Sequence, residues 1–395
     1  MLRSIALPLF ASVVLAPLAA AQNYERVSVR NNGSQLAKGA YQEFALSGSG
    51  RFVAFVAEDD DATGSGAHHS AVFVRDRQLQ KTMRISMASG GGAANGASYS
   101  PSISRDGRFV AFLSDATDLG PVDTDTRTDV YLRDRVAGTT VLVSAASWYW
   151  APERPLVSAD GTHVVFTESQ STETYEVASD SILGSTGFFM TTTSLSADAS
   201  VAIGGAWPVS IVEIAWPLLS TRSDFYDSDG HILAFPSDPV IAADGSAIFV
   251  SAERWLQPYP NYGKWYSTYW YSGYGGGLGF WRTFPRATLR VDLATLATTV
   301  LPLAGAAPQS VSRDGRYLLW AGPFGVQSGL WRYDSSTDQQ AKVVIDPFIG
   351  GGNVLSEAGT HALFLSSLTT LVPNDTNAAW DLFLVELPDA PHDKK

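Results

Sequence analysis

The sequence predicts an all-β chain folded as a single β-propeller of seven four-stranded blades. Three observations predict it. A Ser-x-Asp-Gly turn followed by a short apolar run recurs along the whole chain. Each run is apolar at successive positions, so both faces of its strand are buried and the sheet that holds it packs on a neighbour at each side. Finally, the chain has no cysteine while 45% of its residues are hydrophobic, so a large core must hold it together.

The clearest unit is 101–144. Residues 102–104 form a short strand, and Arg105-Asp106-Gly107 a tight turn. Asp-Gly between apolar runs is a strong hairpin signal, because glycine supplies the positive φ that the turn needs. Residues 108–114 form the second strand, 115–128 an acidic loop, 129–135 the third strand and 139–144 the fourth, after a turn at Ala137-Gly138. The same turn recurs at Gly50, Gly161, Gly245, Gly315 and Gly359, and in a degenerate copy at Ala199. The seven anchors lie 57, 54, 38, 46, 70 and 44 residues apart. Blades of this length that cannot bury two faces alone must stack radially.

The anchor Ser-x-Asp-Gly-Arg, the strand Asp129-Val130-Tyr131-Leu132-Arg133-Asp134 and the hairpin Gly138-Thr139-Thr140 resemble the WD-like propeller repeats of TolB-type proteins. The resemblance covers essentially the whole chain after the leader. It is closest in blades 1, 2, 6 and 7 and rests mainly on the anchor in blades 3 to 5. It implies the propeller fold. A separate N-terminal domain like that of TolB has no room here, so a role in that protein's envelope complex is not implied.

Residues 1–21 read as a secretory signal peptide: Arg3, an apolar run over 5–18, then Ala19-Ala20-Ala21 as a cleavage site. The run is too short to anchor in a bilayer, and no other stretch would span one. The expected mature protein is a propeller over 22–388 with a polar tail over 389–395, located in the periplasm or secreted, and monomeric. Loss of Arg3 takes the net charge from −12 to −13. That acidity argues against nucleic acid and anionic polymers and for cations or neutral ligands.

Residues 24–30 form a strand with no anchor before it, and 381–387 a third strand with no fourth after it. The two defects complement each other. The N-terminal strand is expected to supply the outer strand of the last blade and so close the ring.

In such blades the anchor turns lie on one face, and the second-to-third-strand loops lie on the other with the blade connections. The long insertions 58–70, 115–128, 253–286 and 367–379 fall on that second face. An insertion at 207–230 and the connection 147–155 are placed there too. Elaborated loops on a rigid scaffold are where binding usually resides.

Three constellations stand out. The stretch 255–284 holds twelve aromatic residues in thirty, and no strand or helix period survives in it. Trp255, Tyr259, Tyr262, Trp265, Tyr266, Tyr269, Trp270, Tyr271, Tyr274 and Trp281 are candidate ligand-binding residues, with Trp148, Tyr149 and Trp150 on the same expected face. Indole and phenol rings offer stacking area with a polar edge, suited to sugars or to a partner's side chains. The competing reading is a lid or plug packed on its own channel.

The second constellation is acidic. Asp123, Asp125 and Asp129 recur in pattern as Asp375, Asn377 and Asp381. Such oxygen clusters suit a hard cation such as Ca2+. The EF-hand glycine and distal glutamate are absent, and the alternative is that these residues cap loop backbone as Asx turns. No cofactor is required by either reading. The run Glu58-Asp59-Asp60-Asp61 reads as a solvated loop.

The third is histidine. His163 and His361 occupy the position held by Phe52, Phe109 and Tyr317, which makes them packing residues, whereas His68 and His69 are loop residues better placed for a ligand. The turn aspartates Asp106, Asp160, Asp198, Asp244 and Asp314 recur with the blade period and are turn formers. Arg75-Asp76-Arg77 and Arg133-Asp134-Arg135 end equivalent strands and read as inter-blade or solvent pairs of small worth.

There is no nucleophile elbow, phosphate-binding loop or dinucleotide fingerprint, and thiol catalysis is excluded. Propeller lyases within the wider resemblance use a histidine-rich metal site, which six dispersed histidines do not suggest. The sequence therefore leans towards a non-enzymatic scaffold that binds a protein or a neutral polysaccharide. The alternatives are a carbohydrate-active enzyme, lyase or hydrolase, with its site at the propeller mouth, and a structural module with a self-plugged channel.

Overall fold

The computed structural model describes residues 23–120, 123, 125, 127–144, 151–168, 171–185, 192–204, 210–215, 218–222, 233–254, 286–295, 297–304, 307–322, 329–345 and 352–388. The strands assemble into seven four-stranded antiparallel sheets, the blades of a propeller. Blade 1 is Phe44–Leu46, Phe52–Glu58, Ser70–Asp76 and Lys81–Arg84. Blade 2 is Ser98–Ile103, Phe109–Ser114, Asp129–Asp134 and Thr139–Leu142. Blade 3 is Glu153–Val157, His163–Glu168, Ser171–Glu176 and Ser181–Ser185. Blade 4 is Thr192–Leu195, Val201–Gly204, Ser210–Ala215 and Leu218–Arg222. Blade 5 is Leu233–Ile241, Ala247–Arg254, Arg286–Asp292 and Thr298–Ala304. Blade 6 is Ala307–Val311, Tyr317–Ala321, Leu330–Asp334 and Gln339–Val344. Blade 7 is Val354–Leu355, His361–Ser366, Asp381–Glu386 and, from the other end of the chain, Tyr24–Arg26.

The sequence places the insertion 207–230 between second and third strands, and this is corrected. Residues 210–215 and 218–222 are the third and fourth strands of blade 4. Pairs such as Val212 with Thr221 fix their register. Only a short connection separates Gly204 from Ser210.

The first strands touch one another around the axis and are innermost. The second strands carry the core: Phe55, Phe112, Phe166, Phe249 and Phe364 are fully buried in blades 1, 2, 3, 5 and 7, and Ile203 and Leu319 in blades 4 and 6. Clusters formed between blades confirm why both faces of these strands are apolar. Ala54 and Val56 of blade 1, for example, pack with Val110 and Phe112 of blade 2.

Four of the seven anchor turns share one side-chain arrangement. In blade 2, Ser104 Oγ donates to Asp106 Oδ1 at 2.7 Å and accepts the Phe109 N–H at 3.0 Å. Asp106 Oδ1 also takes the Arg108 N–H at 2.9 Å. Ser158 with Asp160, Ser196 with Asp198, and Ser312 with Asp314 repeat the arrangement. The recurring aspartates are therefore turn formers, as their period implies. The turn glycine has a second duty. Gly107 has φ +73°, and a Cβ there would lie 2.2 Å from the ring of Phe52 in the preceding blade. His361 occupies the same station and packs on Gly50, so it is a packing residue.

The turns are also joined to one another. Gly48 N donates to Arg105 O, Arg105 N to Ala159 O, Asp160 N to Ala197 O and Ala197 N to Ala243 O. Asp244 N then donates to Arg313 O, Arg313 N to Glu357 O, and Glu357 N to Gly48 O. These seven bonds of 2.7 to 3.2 Å run in one direction and close into a ring. Every blade donates to the next and accepts from the one before.

Closure at the outer edge uses the N-terminus. Tyr24 pairs with Val385 and Arg26 with Phe383. The hydrophobic edge is completed by Tyr24 against Phe364. Ser28 takes the place that Ser86 and Ser144 hold after the fourth strands of blades 1 and 2: each accepts a third-strand N–H at 2.9 to 3.0 Å.

Candidate functional site

The face opposite the turn ring carries the second-to-third-strand loops. Those of blades 1, 2 and 7 lie wholly or largely within the described residues. The aromatic insertion springs from the same end of blade 5, where Glu253 and Arg286 pair across the sheet at its two roots. Trp255, Tyr259, Tyr262, Trp265, Tyr266, Tyr269, Trp270, Tyr271, Tyr274 and Trp281 lie outside the described residues, as do Trp148, Tyr149 and Trp150.

In blade 2 the acidic residues converge. Asp123, Asp125 and Asp129 each offer a carboxylate oxygen within 4.8 Å of the others. Among the described residues this is the one group of three acidic or histidine side chains so placed. Asp129 opens the third strand opposite Ser114 and is buried, and its Oδ1 accepts from Ser144 Oγ at 2.7 Å. Asp123 is tied to the core: the buried Tyr131 hydroxyl donates to its Oδ2 at 3.0 Å and to Ala116 O at 3.1 Å. Asp123 Oδ1 takes the Asp125 N–H at 3.1 Å, and Asp125 Oδ1 takes the Arg127 N–H at 2.9 Å. These two are Asx turns, so the loop-capping role is realised.

The electrostatics follow. Burial pushes the Asp129 carboxyl above the ordinary carboxylate range; the Ser144 hydrogen bond opposes this, and the charges of Asp123 and Asp125 add to it. Burial, the hydrogen bond to Asp123 and nearby carboxylates push the Tyr131 phenol up as well, so it stays a donor. The loop is pinned at both ends by Asp115, whose Oδ1 accepts Thr128 Oγ1 at 2.6 Å and Tyr99 Oη at 3.2 Å. Three hard oxygens from a seven-residue span fit a cation such as Ca2+ better than a soft metal.

The matching residues of blade 7 are arranged differently. The Gln35 amide donates to Asp375 Oδ1 at 2.7 Å and to Asp381 Oδ2 at 3.0 Å. Arg26 Nη1 stands 3.7 Å and 3.6 Å from the same two oxygens. Ser28 Oγ donates to Asp381 Oδ1 at 2.9 Å, and Asn377 Nδ2 donates to Leu36 O at 2.6 Å. Protein groups from the N-terminal segment thus stand between the carboxylates where a cation would sit.

In blade 1 the expectation of a solvated loop is corrected. Asp59–Thr63 is a short helix, and Asp59 and Asp61 are buried. Arg84 grips Asp59 with two nitrogens at 2.6 and 2.5 Å. Asp61 accepts from Ala37 N at 2.9 Å, Lys38 N at 2.7 Å and Arg30 Nη2 at 2.7 Å. Burial alone would raise the Asp61 pKa, but these donors outweigh it and hold it low. Their partners lie more than twenty residues away in sequence, which is why the local pattern hides them.

The described histidines do not converge. His68 Nδ1 lies 3.3 Å from Glu58 Oε1, and Lys38 holds the other oxygen of that carboxylate. His69 Nδ1 faces Ser70 O. His361 sits at a blade junction, where burial and then Arg77 depress its pKa. His231 and His392 lie outside the described residues.

At the strand ends the aspartates pair within their own blades rather than between them. Arg51 grips Asp76, Arg108 grips Asp134 and Arg316 grips Asp334, each within its own blade. Each guanidinium also covers the aromatic ring that follows it, at 4.6 to 4.7 Å. Arg77 reaches between blades, donating to Glu25 at 2.7 Å and to Gly50 O at 2.8 Å.

No family model matches the sequence, and no curated protein matches it. In fold, 937 solved chains match, a breadth that selects no function. An oligogalacturonate lyase in complex with manganese shares 12% identity at a TM-score of 0.56, over 89% of this chain and 90% of that one. An oligogalacturonate lyase from Vibrio parahaemolyticus shares 10% identity at 0.56, over 94% and 98%. TolB from Acinetobacter baumannii aligns over 75% of this chain and 52% of its own at 14% identity, but its TM-score of 0.36 is too low to carry an argument. The chain is similar to the lyases in its β-propeller architecture, and at these identities the likeness is one of fold.

Proposed function

We propose that this chain is an exported, non-enzymatic binding scaffold whose ligand docks on the loop face. One observation carries the reading: the two ends of the propeller are built differently. The turn end is drawn into a ring of hydrogen bonds by short, near-identical turns. The opposite end carries the loops, including the aromatic insertion rooted at Glu253 and Arg286. A rigid scaffold with elaboration at one end favours recognition there. The aromatic residues supply stacking area with polar edges. The partner is a protein or a neutral polysaccharide, in keeping with a net charge of −12.

Residues 1–21 act as the leader, cleaved near Ala21, and deliver a monomeric propeller to the periplasm or the medium. No helix among the described residues is long and apolar enough to cross a membrane. Binding requires no metal. Asp123, Asp125 and Asp129 would hold Ca2+ as an accessory that stiffens the blade 2 loop, not as a reagent. The described histidines give no support to a histidine-rich metal centre like that which the resemblance associates with propeller lyases.

The test is affinity electrophoresis of the mature protein against a panel of soluble polysaccharides. The comparison is a variant with 256–285 replaced by a short Gly-Ser linker, its fold checked by circular dichroism. Retardation of the wild type by one polymer, lost in the folded variant, supports the reading. Polymer cleared from the gel moves the protein to the carbohydrate-active enzymes. Loss of fold on deletion identifies the insertion as a structural plug. Equal mobility throughout removes the sugar and directs the search to a protein partner.

A further inference from the structure

The ring of turns sets seven residues of one repeat position around the axis, at the end away from the proposed binding face. Blade 1 contributes Gly48, and blades 3, 4 and 5 contribute alanines. Blades 2, 6 and 7 contribute Arg105, Arg313 and Glu357. Two cations and one anion therefore stand on a rim that is otherwise free of side-chain bulk.

Arg105 Nε donates to Glu357 Oε2 at 2.6 Å, spanning the blade between them. The span depends on glycine at position 48. A Cβ there would lie 2.5 Å from Arg105 Cγ and 3.1 Å from Glu357 Cδ. Arg105 Nη2 is buried and has no hydrogen-bond partner. Arg313 adjoins Glu357 through its backbone N–H, at 2.8 Å, and its side chain is exposed. Its guanidinium makes no ion pair among the described residues, whereas Arg316, three residues on, is engaged by Asp334.

Guanidinium groups bind oxyanions through forked, charge-assisted hydrogen bonds. On this rim one guanidinium is half-used by the chain's own carboxylate, and a second, on the other side of Glu357, makes no ion pair among the described residues. We infer that the rim is a binding site for a small multivalent oxyanion, a phosphate or a dicarboxylate, held between Arg105 and Arg313 with Glu357 displaced. Five of the seven turns carry an aspartate next to the rim residue, and four of these are bound by the serine hydroxyl of their own turn. Their charge excludes a long polyanion and restricts the site to a compact one.

Inorganic phosphate and malonate, titrated separately into the full chain by calorimetry at fixed ionic strength with chloride as control, test the site. Wild type is expected to bind at least one of them, and the one it prefers identifies the source of the oxyanion. Arg313→Ala is expected to weaken binding about 10-fold or more, the worth of one charge-assisted contact. Glu357→Gln removes the internal competitor and is expected to strengthen binding by about the same factor. Arg313 is exposed and glutamine matches glutamate in shape, so both variants keep the fold, which melting curves check. Binding that Arg313→Ala leaves unchanged, or no binding of either anion by wild type and Glu357→Gln, overturns the inference.

Discussion

The Ser28 hydroxyl donates to Asp381 Oδ1 at 2.9 Å across 353 residues of sequence, so the two ends of the chain are sewn into one blade. The same hydroxyl accepts the Leu382 N–H. Deleting 24–30 leaves Asp381 buried with Gln35 as its remaining neutral donor and opens the outer edge of blade 7. A buried charge that loses its partners costs about 3–5 kcal/mol. Urea denaturation is expected to show a loss of at least that size, whereas removal of 389–395 leaves the midpoint unchanged.

Gly107 and Gly245 occupy equivalent turns, both with φ near +74°. Alanine at 245 meets nothing nearer than Ser196 Cβ at 3.9 Å and carries only the left-handed backbone cost of about 1–2 kcal/mol. Alanine at 107 drives into Phe52 and adds about 1–3 kcal/mol of overpacking. Thermal melts of Gly107→Ala and Gly245→Ala are expected to rank in that order, and equal losses would mean that the blade contact contributes nothing.

Asp334 reports acid stability. Burial pushes its carboxyl up, but Arg316 and Ser336 outweigh that and bring its pKa down to about 2. A depressed carboxylate contributes stability that is present above its unfolded value and lost as pH falls through the folded one. Asp334→Asn is expected to cost about 1–2 kcal/mol at pH 7. The gap to wild type should close between pH 4 and pH 2, a window set by the ordinary and folded values. A gap constant with pH would assign the effect to shape alone.

Asp129 behaves in the opposite sense. Its pKa is raised, chiefly by burial, so the contribution of the wild-type residue is fullest below the ordinary carboxylate range and is lost as pH rises through the folded value. In chelator at pH 7, Asp129→Asn is expected to be more stable than wild type, because the buried carboxylate's charge is removed. Its advantage should vanish as pH falls into the ordinary carboxylate range. Millimolar Ca2+ that raises the wild-type melting temperature and not the variant's would place the cation at this cluster. No response in either leaves Asp123 and Asp125 as loop caps.

The architecture is legible because its determinants are local. Asp-Gly turns and runs such as Phe109 to Leu113 declare themselves within a few residues, and even Ala199 adopts φ +59°, because Asp198 holds the turn through Ser200. The N-terminal closure is legible because one missing strand matches one orphan strand. What stayed hidden depends on partners remote in sequence. Asp59 and Asp61 look solvent-bound until Arg84 and Arg30 arrive. The two acidic patterns look equivalent until Gln35, some 340 residues from Asp375, fills one of them. Glycine at 48 carries no local signal at all, yet it is what lets Arg105 reach Glu357.

The directional ring has a consequence for assembly. Each turn gives one N–H to one side and takes one at its carbonyl from the other, so the bonds equal the blades only when the circle shuts. A chain with one blade undocked exposes an unmet donor at one lip of the gap and an unmet acceptor at the other. Those lips are complementary, and a second such chain presents the same pair. Crowded refolding therefore sets intramolecular closure against reciprocal exchange between molecules, and dilution decides which one wins.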